Sequence, residues 1–105
     1  MASFRILIVD DFEPWRRFIS QFLRGYPEFE IVGEASDGLE GLQQSEELQP
    51  DLILLDPGLP KLKGIDAARK IRSIAPNSRI LFVSENRCPE VVQEALATGA
   101  NGYVV

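Results

Sequence analysis

Short apolar runs alternate with longer amphipathic stretches along the whole chain. The apolar runs are rich in β-branched residues and too short for helices, so they predict strands. Most are apolar at every position rather than at alternate ones, which is typical of strands buried on both faces of a parallel sheet. The predicted strands are Phe4–Val9, Phe29–Ala35, Leu52–Leu55, Arg79–Val83 and Gly102–Val105.

The first amphipathic stretch predicts a helix with one apolar face. Pro14 suits the first helical turn, and Gly25 with Pro27 ends the helix. Large apolar side chains recur at every third or fourth position, as one helix face requires. They are Trp15, Phe18, Ile19, Phe22 and Leu23.

Three further stretches also predict helices. One runs over residues 38–48, with Ser36 as its N-cap and Asp37 favouring its first turn, although two glycines lower its helix propensity. The next stops at Pro76, and the last begins near Pro89. The face that the third helix is expected to bury consists of Ala67, Ala68, Ile71, Ile74 and Ala75.

This alternation predicts an α/β fold with parallel strands and helices on both sheet faces. The 105 residues suit one domain with one hydrophobic core. A fifth helix is expected after Val105, because the last strand otherwise leaves an apolar face open. We therefore expect either a fragment that lacks this helix and any output domain, or a surface that another copy or a partner buries.

Composition narrows the class of protein. The net charge of −5 argues against a nucleic-acid-binding module, which normally carries a basic face. The single cysteine, Cys88, cannot form an internal disulfide, which favours a reducing compartment. No apolar run is long enough to span a membrane. A cytoplasmic protein without membrane contact is the expectation.

Acidic and hydroxyl side chains directly follow three of the predicted strands. The first strand ends in Asp10 and Asp11, the third in Asp56 and the fourth in Ser84. In open α/β sheets, ligands bind beyond the carboxyl ends of the strands. Two carboxylates ~4 Å apart repel each other by about 4 kcal/mol at an effective dielectric of ~20. A bound Mg²⁺ relieves this repulsion and leaves one aspartate free as an oxygen nucleophile.

These spaced motifs together resemble response-regulator receiver domains. The pattern is an acidic pair after strand one, an aspartate after strand three and a serine after strand four, with Gly-Ala-x-Gly-Tyr before strand five. The resemblance covers essentially all 105 residues. The stretch PDLILLDPGLPKLKG, residues 50–64, is similar to the subset joined to LuxR/FixJ-type helix-turn-helix output domains.

The resemblance implies a flavodoxin-like, doubly wound sheet in the order 2-1-3-4-5. It also implies that Asp56 accepts a phosphoryl group from a sensor histidine kinase. Asp10, Asp11, Asp56 and the backbone carbonyl of Gly58 would then hold Mg²⁺. The remaining implied roles are a phosphoryl contact at Ser84, a switch aromatic at Tyr103, a homodimer as one possible assembly, and DNA binding only through an output domain.

Several positions depart from the family pattern. The lysine that receiver domains carry after strand five falls at residue 106 on this count, one position beyond Val105. Pro57 follows the acceptor and has no N–H to offer a phosphoryl oxygen. Glu85 stands where a small residue is usual, and with Asn86 and Pro57 it is expected to modulate the site.

Simpler interpretations of the same residues stay open. Asp10 or Asp11 can cap the first helix, and Asp56 can be a turn residue before Pro-Gly. A phosphorylation-independent interaction module is the main alternative function. A phosphohydrolase usually needs a second acid where this chain has Gly58, and an FMN carrier needs a Ser/Thr-rich phosphate loop after strand one. Arg16, like the neighbouring arginine, is expected to be a solvated charge.

Overall fold

The computed structural model describes residues 3–105 as strands and helices in strict alternation. The bounds of strands β1 to β4 agree with those predicted from the apolar runs, and the fifth strand is one residue shorter. The elements are β1 (Phe4–Val9), α1 (Glu13–Arg24), β2 (Phe29–Ala35), α2 (Gly38–Leu48), β3 (Leu52–Leu55), α3 (Gly64–Ile74), β4 (Arg79–Val83), α4 (Pro89–Ala97) and β5 (Gly102–Val104).

All five strands pair in parallel in one sheet, in the order β2-β1-β3-β4-β5. The predicted fold class, a doubly wound five-stranded parallel sheet, is therefore confirmed. In the central pair, Val9 of β1 lies opposite Leu55 of β3. Leu55 in turn lies opposite Phe82 of β4. The strand order reverses beside β1, so the carboxyl ends of β1 and β3 open onto one crevice.

The main core lies between the sheet and helices α2, α3 and α4. Alternate side chains of the three central strands point to this side and are at most 1% exposed. Ala67, Ala68 and Ile71 of α3 meet them with no exposed surface. The strand residues in this core are Leu7, Val9, Ile53, Leu55, Ile80 and Phe82.

Helix α1 lies on the opposite face of the sheet, and its apolar face is only partly buried. Trp15 and Ile19 line a small apolar pocket with Ile8 and Leu54 of the sheet. Its other aromatic side chains, including Phe18 at 58% and Phe22 at 56%, remain exposed. The sheet therefore covers only part of the apolar face that the sequence predicted for α1.

The N-terminus of α2 corrects one predicted cap. Asp37, and not Ser36, is the N-cap, and its carboxylate accepts a hydrogen bond from the N–H of Glu40 at 2.8 Å. The Glu40 carboxylate in turn accepts the N–H of Ser36 at 2.7 Å. Each of the two carboxylates therefore accepts one backbone N–H. The arrangement resembles a capping box, except that Glu40 accepts the N–H of Ser36 and not that of the N-cap residue.

None of the helices in residues 3–105 combines the length and the apolar character that a bilayer crossing requires.

Replacing Ile71 by alanine tests the position of the core. Because the Ile71 side chain is fully buried between α3 and the sheet, we expect Ile71→Ala to lower the free energy of unfolding by about 3 kcal/mol. Leu39→Ala, at a position 53% exposed on α2, should cost less than about 1 kcal/mol. Urea unfolding followed by circular dichroism measures both, and equal losses would contradict this assignment of the core.

Candidate functional site

Three carboxylates converge where β1 and β3 end. The sheet ladder continues one residue past each strand, since the N–H of Asp56 donates to the carbonyl of Val9 at 3.0 Å. This bond sets Asp56 beside Asp10. One carboxylate oxygen each from Asp10, Asp11 and Asp56 lies within 4.8 Å of the other two. The structure therefore brings together the three aspartates that the sequence predicted to share a crevice.

The environment of the crevice favours the neutral form of two of these acids. Burial raises the pKa of Asp56 above its ordinary value, the N–H of Gly58 opposes this, and the nearby Asp11 raises it further. Burial also raises the pKa of Asp10, against a hydrogen bond from the N–H of Phe12 and with repulsion from Asp56. Asp11 itself is exposed. The crevice therefore makes ionisation of Asp10 and Asp56 less favourable than it is in water.

Asp10 also helps to shape the start of α1. Its Oδ1 accepts the N–H of Phe12 at 2.9 Å. The N-cap itself is Phe12, whose side chain makes no cap hydrogen bond. The capping interpretation of the acidic pair is therefore wrong, because Asp10 accepts the N–H of the N-cap residue and forms a turn before the helix, while neither aspartate accepts an N–H from the first turn of α1.

Arg16 supports the crevice from behind, a role that the sequence analysis missed. Its Nη1 donates to the backbone carbonyl of Asp10 at 2.6 Å, and its Nε lies 3.4 Å from a carboxylate oxygen of Glu34 on β2. The Arg16 side chain is only 15% exposed, so the prediction that it is a solvated charge is wrong. Its position one helical turn after Phe12 was the available signal, but nothing in the sequence distinguished it from Arg17.

The loop after β3 fixes the backbone around Asp56. The N–H of Gly58 donates to Asp56 Oδ1 at 2.9 Å, and the N–H of Gly64 donates to the carbonyl of Pro57 at 3.1 Å. A Cβ on Gly64 would lie 1.8 Å from the carbonyl oxygen of Asp56, so only glycine fits there. Gly64 is thus a second residue of the site that the sequence analysis left unassigned. Pro57 is buried beside the acceptor position.

A second group of polar residues lies at the end of β4. Ser84 Oγ accepts the N–H of Asn86 at 3.0 Å, and the Tyr103 hydroxyl donates to the carbonyl of Asn86 at 2.8 Å. The loop is therefore held from both sides through Asn86, while Glu85 between them is exposed. Val83 lines one apolar pocket with Asp10 and Asp56, which places this loop next to the acidic crevice.

The acidic crevice suits a hard divalent cation. Carboxylate oxygens are the ligands that Mg²⁺ prefers, and two of them bound to one ion lie at most about 4.2 Å apart, twice the Mg–O distance. The observed spread of up to 4.8 Å needs only small side-chain rotations to reach this. Burial is the main cause of the raised pKa of Asp10 and Asp56, and repulsion between the carboxylates adds to it. A bound cation removes this repulsion.

Comparison with known proteins identifies the family. Residues 6–105 match the response regulator receiver domain. The chain belongs to this receiver family. The nitrate/nitrite response regulator protein NarL of Escherichia coli K12 is 38% identical over 100 residues, which are 95% of this chain and 46% of NarL. The chain thus spans about half the length of that relative.

Solved structures agree with this assignment. A two-component response regulator of the LuxR family from Aurantimonas superposes with a TM-score of 0.90 at 31% identity, covering 97% of this chain and 73% of that one. The receiver domain of the sensor histidine kinase PA1611 from Pseudomonas aeruginosa, solved with magnesium in its active-site cleft, gives 0.87 at 27% identity. That match covers 99% of this chain and 85% of the other. The receiver assignment expected from the sequence motifs is confirmed. The similar proteins include a LuxR-family regulator, together with a chemotaxis protein and methylesterases.

Removing the Asp56 charge is expected to stabilise the domain without metal. Because burial raises the folded-state pKa of Asp56, the folded state binds more protons than the unfolded state between the ordinary and the raised pKa. The free energy of unfolding therefore falls as the pH rises through that window. Asp56→Asn abolishes this loss, so at about pH 7 without Mg²⁺ it should be more stable by on the order of 1 kcal/mol.

The gain should shrink at about pH 3, where the Asp56 carboxyl is protonated in both states. Asp66→Asn is the matched control, because its exposed carboxylate pairs with Arg69 at 3.0 Å and should give no gain. Thermal unfolding across a pH series measures the differences. A stability gain of Asp56→Asn that does not depend on pH would contradict the electrostatic explanation.

Proposed function

We propose that this chain is the phosphoacceptor domain of a two-component system, and that Asp56 takes a phosphoryl group from a sensor histidine kinase. The observation that carries the proposal is the convergence of three carboxylate oxygens within 4.8 Å at the ends of β1 and β3. Membership of the receiver family supports the same reaction. The domain acts as a signalling module, and its chemistry is limited to gaining and losing its own phosphoryl group.

In the proposed transfer, a carboxylate oxygen of Asp56 attacks the phosphorus of a phosphohistidine. The new O–P bond forms as the N–P bond breaks, and the imidazole nitrogen keeps the electron pair and then takes a proton. The N–H of Gly58 restrains Asp56 Oδ1, which leaves the other oxygen as the nucleophile. Burial of the crevice removes water that would otherwise solvate the nucleophile.

We further propose Mg²⁺ as the cofactor, held by Asp10, Asp11, Asp56 and the carbonyl of Gly58. When bound, the ion offsets the carboxylate charge and polarises the phosphoryl oxygens. The magnesium in the cleft of the Pseudomonas receiver domain supports this choice of ion. Arg16, through its bond to the Asp10 carbonyl, keeps the acidic pair at the crevice.

The signal is proposed to leave the site through Asn86. In the unphosphorylated domain Ser84 Oγ accepts the Asn86 N–H, so its own hydrogen is free to donate to a phosphoryl oxygen. Movement of Ser84 toward the phosphoryl group, which carries a charge of roughly −2, pulls the loop whose Asn86 carbonyl accepts the Tyr103 hydroxyl. The β4, α4 and β5 surface then shifts between two populations, and a homodimer or an output domain reads the change.

The wider setting is part of the same proposal. We expect a cytoplasmic protein whose DNA contact is made only by an output domain, in keeping with its LuxR-type relatives. One alternative function has a specific observation in its favour. Pro57 offers no N–H beside the acceptor and Glu85 adds a carboxylate next to Ser84, features that suit an interaction module that never takes phosphate.

Incubation with acetyl phosphate and Mg²⁺ tests the phosphoacceptor directly. We expect intact-mass spectrometry to show a gain of about 80 Da, the mass of one added phosphoryl group. Asp56→Asn should abolish the gain, whereas the control Asp51→Asn, at a carboxylate that accepts the N–H of Arg5, should retain it. No gain in the unaltered chain would favour the interaction module, and a gain that survives Asp56→Asn would assign the acceptor elsewhere.

Substitution of Glu85 tests its modulating role. The Glu85 carboxylate follows Ser84 directly, so it repels an incoming phosphoryl donor through a partly screened field. We expect Glu85→Ala to raise the rate of phosphorylation by acetyl phosphate about threefold. The control Glu94→Ala removes a carboxylate on α4 that pairs with Arg69 at 3.9 Å, and it should leave the rate unchanged. Equal acceleration by both variants would point to net charge alone.

A further inference from the structure

Glu34 is the last residue but one of the edge strand β2 and takes no part in the proposed phosphoryl transfer. Its carboxylate oxygen lies 3.4 Å from Arg16 Nε on α1. The backbone carbonyl of Glu34 accepts a hydrogen bond from Gln44 Nε2 on α2 at 2.9 Å, which fixes the strand at this point. The Arg16 side chain is mostly buried, and that of Glu34 is 36% exposed. Opposite charges in such a partly desolvated setting attract each other more strongly than at an open surface.

The same strand end also holds the backbone of Asp10. The N–H of Asp10 donates to the carbonyl of Ala35 at 3.0 Å, and the Asp10 carbonyl accepts Arg16 Nη1 at 2.6 Å. Because Ala35 follows Glu34 directly in the chain, these contacts close a ring through Asp10, Ala35, Glu34 and Arg16. Both polar groups of the Asp10 backbone are thus fixed from one neighbouring strand.

The backbone position of Asp10 matters because a small cation tolerates little error in its ligands. Mg²⁺ requires near-octahedral geometry with oxygen atoms about 2.1 Å away. Residues that hold a ligand in place without touching the metal commonly change its affinity by roughly 10- to 100-fold. Arg16 carries a charge that repels a cation, so any cation affinity that it provides comes from position and not from charge.

We infer that Arg16 and Glu34 form a positioning pair that raises the Mg²⁺ affinity of the crevice without contacting the ion. Arg16 fixes the carbonyl of Asp10, and Glu34 fixes Arg16. This role rests on the proposed Mg²⁺ site, and both residues lie outside its set of ligands. Loss of the Arg16 charge alone would tighten Mg²⁺ binding, so the direction of the change separates positioning from simple electrostatics.

A titration with Mg²⁺, followed by amide chemical shifts in ¹⁵N–¹H spectra, measures the affinity without any phosphodonor. We expect Arg16→Gln to weaken Mg²⁺ binding about tenfold, the low end for a residue that holds a ligand in place. Arg17→Gln is the matched control, because Arg17 is the next residue, carries the same charge and is 66% exposed. It should leave the affinity unchanged or slightly higher. An affinity in Arg16→Gln equal to or above that in Arg17→Gln would overturn the proposal.

Glu34→Gln tests the second member of the pair. It should weaken Mg²⁺ binding about threefold, since Arg16 keeps its bond to Asp10 but loses its anchor. Glu30→Gln, at an exposed carboxylate on the same strand, should leave the affinity unchanged. The double variant of Arg16→Gln with Glu34→Gln has the net charge of the unaltered chain and should bind as weakly as Arg16→Gln alone. Losses that multiply to about thirtyfold would mean that Glu34 acts independently, which would overturn the pairing.

Phosphorylation by acetyl phosphate separates this role from the proposed function. In Arg16→Gln the Mg²⁺ concentration for half-maximal rate should rise about tenfold, while the rate at saturating Mg²⁺ stays within about twofold. A chain that takes no phosphoryl group but loses Mg²⁺ affinity in Arg16→Gln would refute the phosphoacceptor and support the pair. A slower reaction at saturating Mg²⁺ with unchanged Mg²⁺ affinity would overturn the pair alone, and an unaltered chain that binds no Mg²⁺ would overturn both. Circular dichroism verifies folding, and Glu34→Gln supplies the test if Arg16→Gln does not fold.

Discussion

Parallel pairing of β1 with β3 fixes the position of every acidic side chain in the crevice. The bond from the Asp56 N–H to the Val9 carbonyl extends the ladder past the last strand residue and brings the two strand ends level. A slip of one residue would turn Asp56 to the other face of the sheet. The core prevents such a slip, because Ile53 and Leu55 are fully buried against α3. Hydrophobic packing on one face of the sheet thus sets the geometry of a polar site at its edge.

Much of this arrangement was predictable from the chain itself. The continuous apolar runs predicted strands β1 to β4 with their observed bounds, and the acids that follow them predicted the crevice. What failed were features that depend on tertiary contacts. Phe18 and Phe22 fit the helical period of α1, but the period does not show how wide a strip of sheet the helix covers. The contacts of Arg16 join α1 to the loop after β1 at Asp10 and to β2 at Glu34, which no local pattern reports.

The loops also depend on tertiary contacts that the sequence does not reveal. Gly64 is one of several glycines in a turn-rich stretch, and only the closeness of the Asp56 carbonyl shows why this position excludes a side chain. Pro57 was recognised as a residue that lacks a donor, yet its carbonyl accepts the Gly64 N–H and so helps to begin α3. A residue that weakens one part of the site therefore supports another.

Arg16 connects the acidic crevice to the edge strand β2. Its Nη1 donates to the Asp10 carbonyl, while its Nε lies 3.4 Å from a carboxylate oxygen of Glu34. The backbone of the acidic pair is therefore held by a side chain of α1 that is itself held by the edge of the sheet. A local opening of α1 away from β2 would release the backbone of Asp10 at the same time, so the geometry of the crevice depends on the local stability of the first helix.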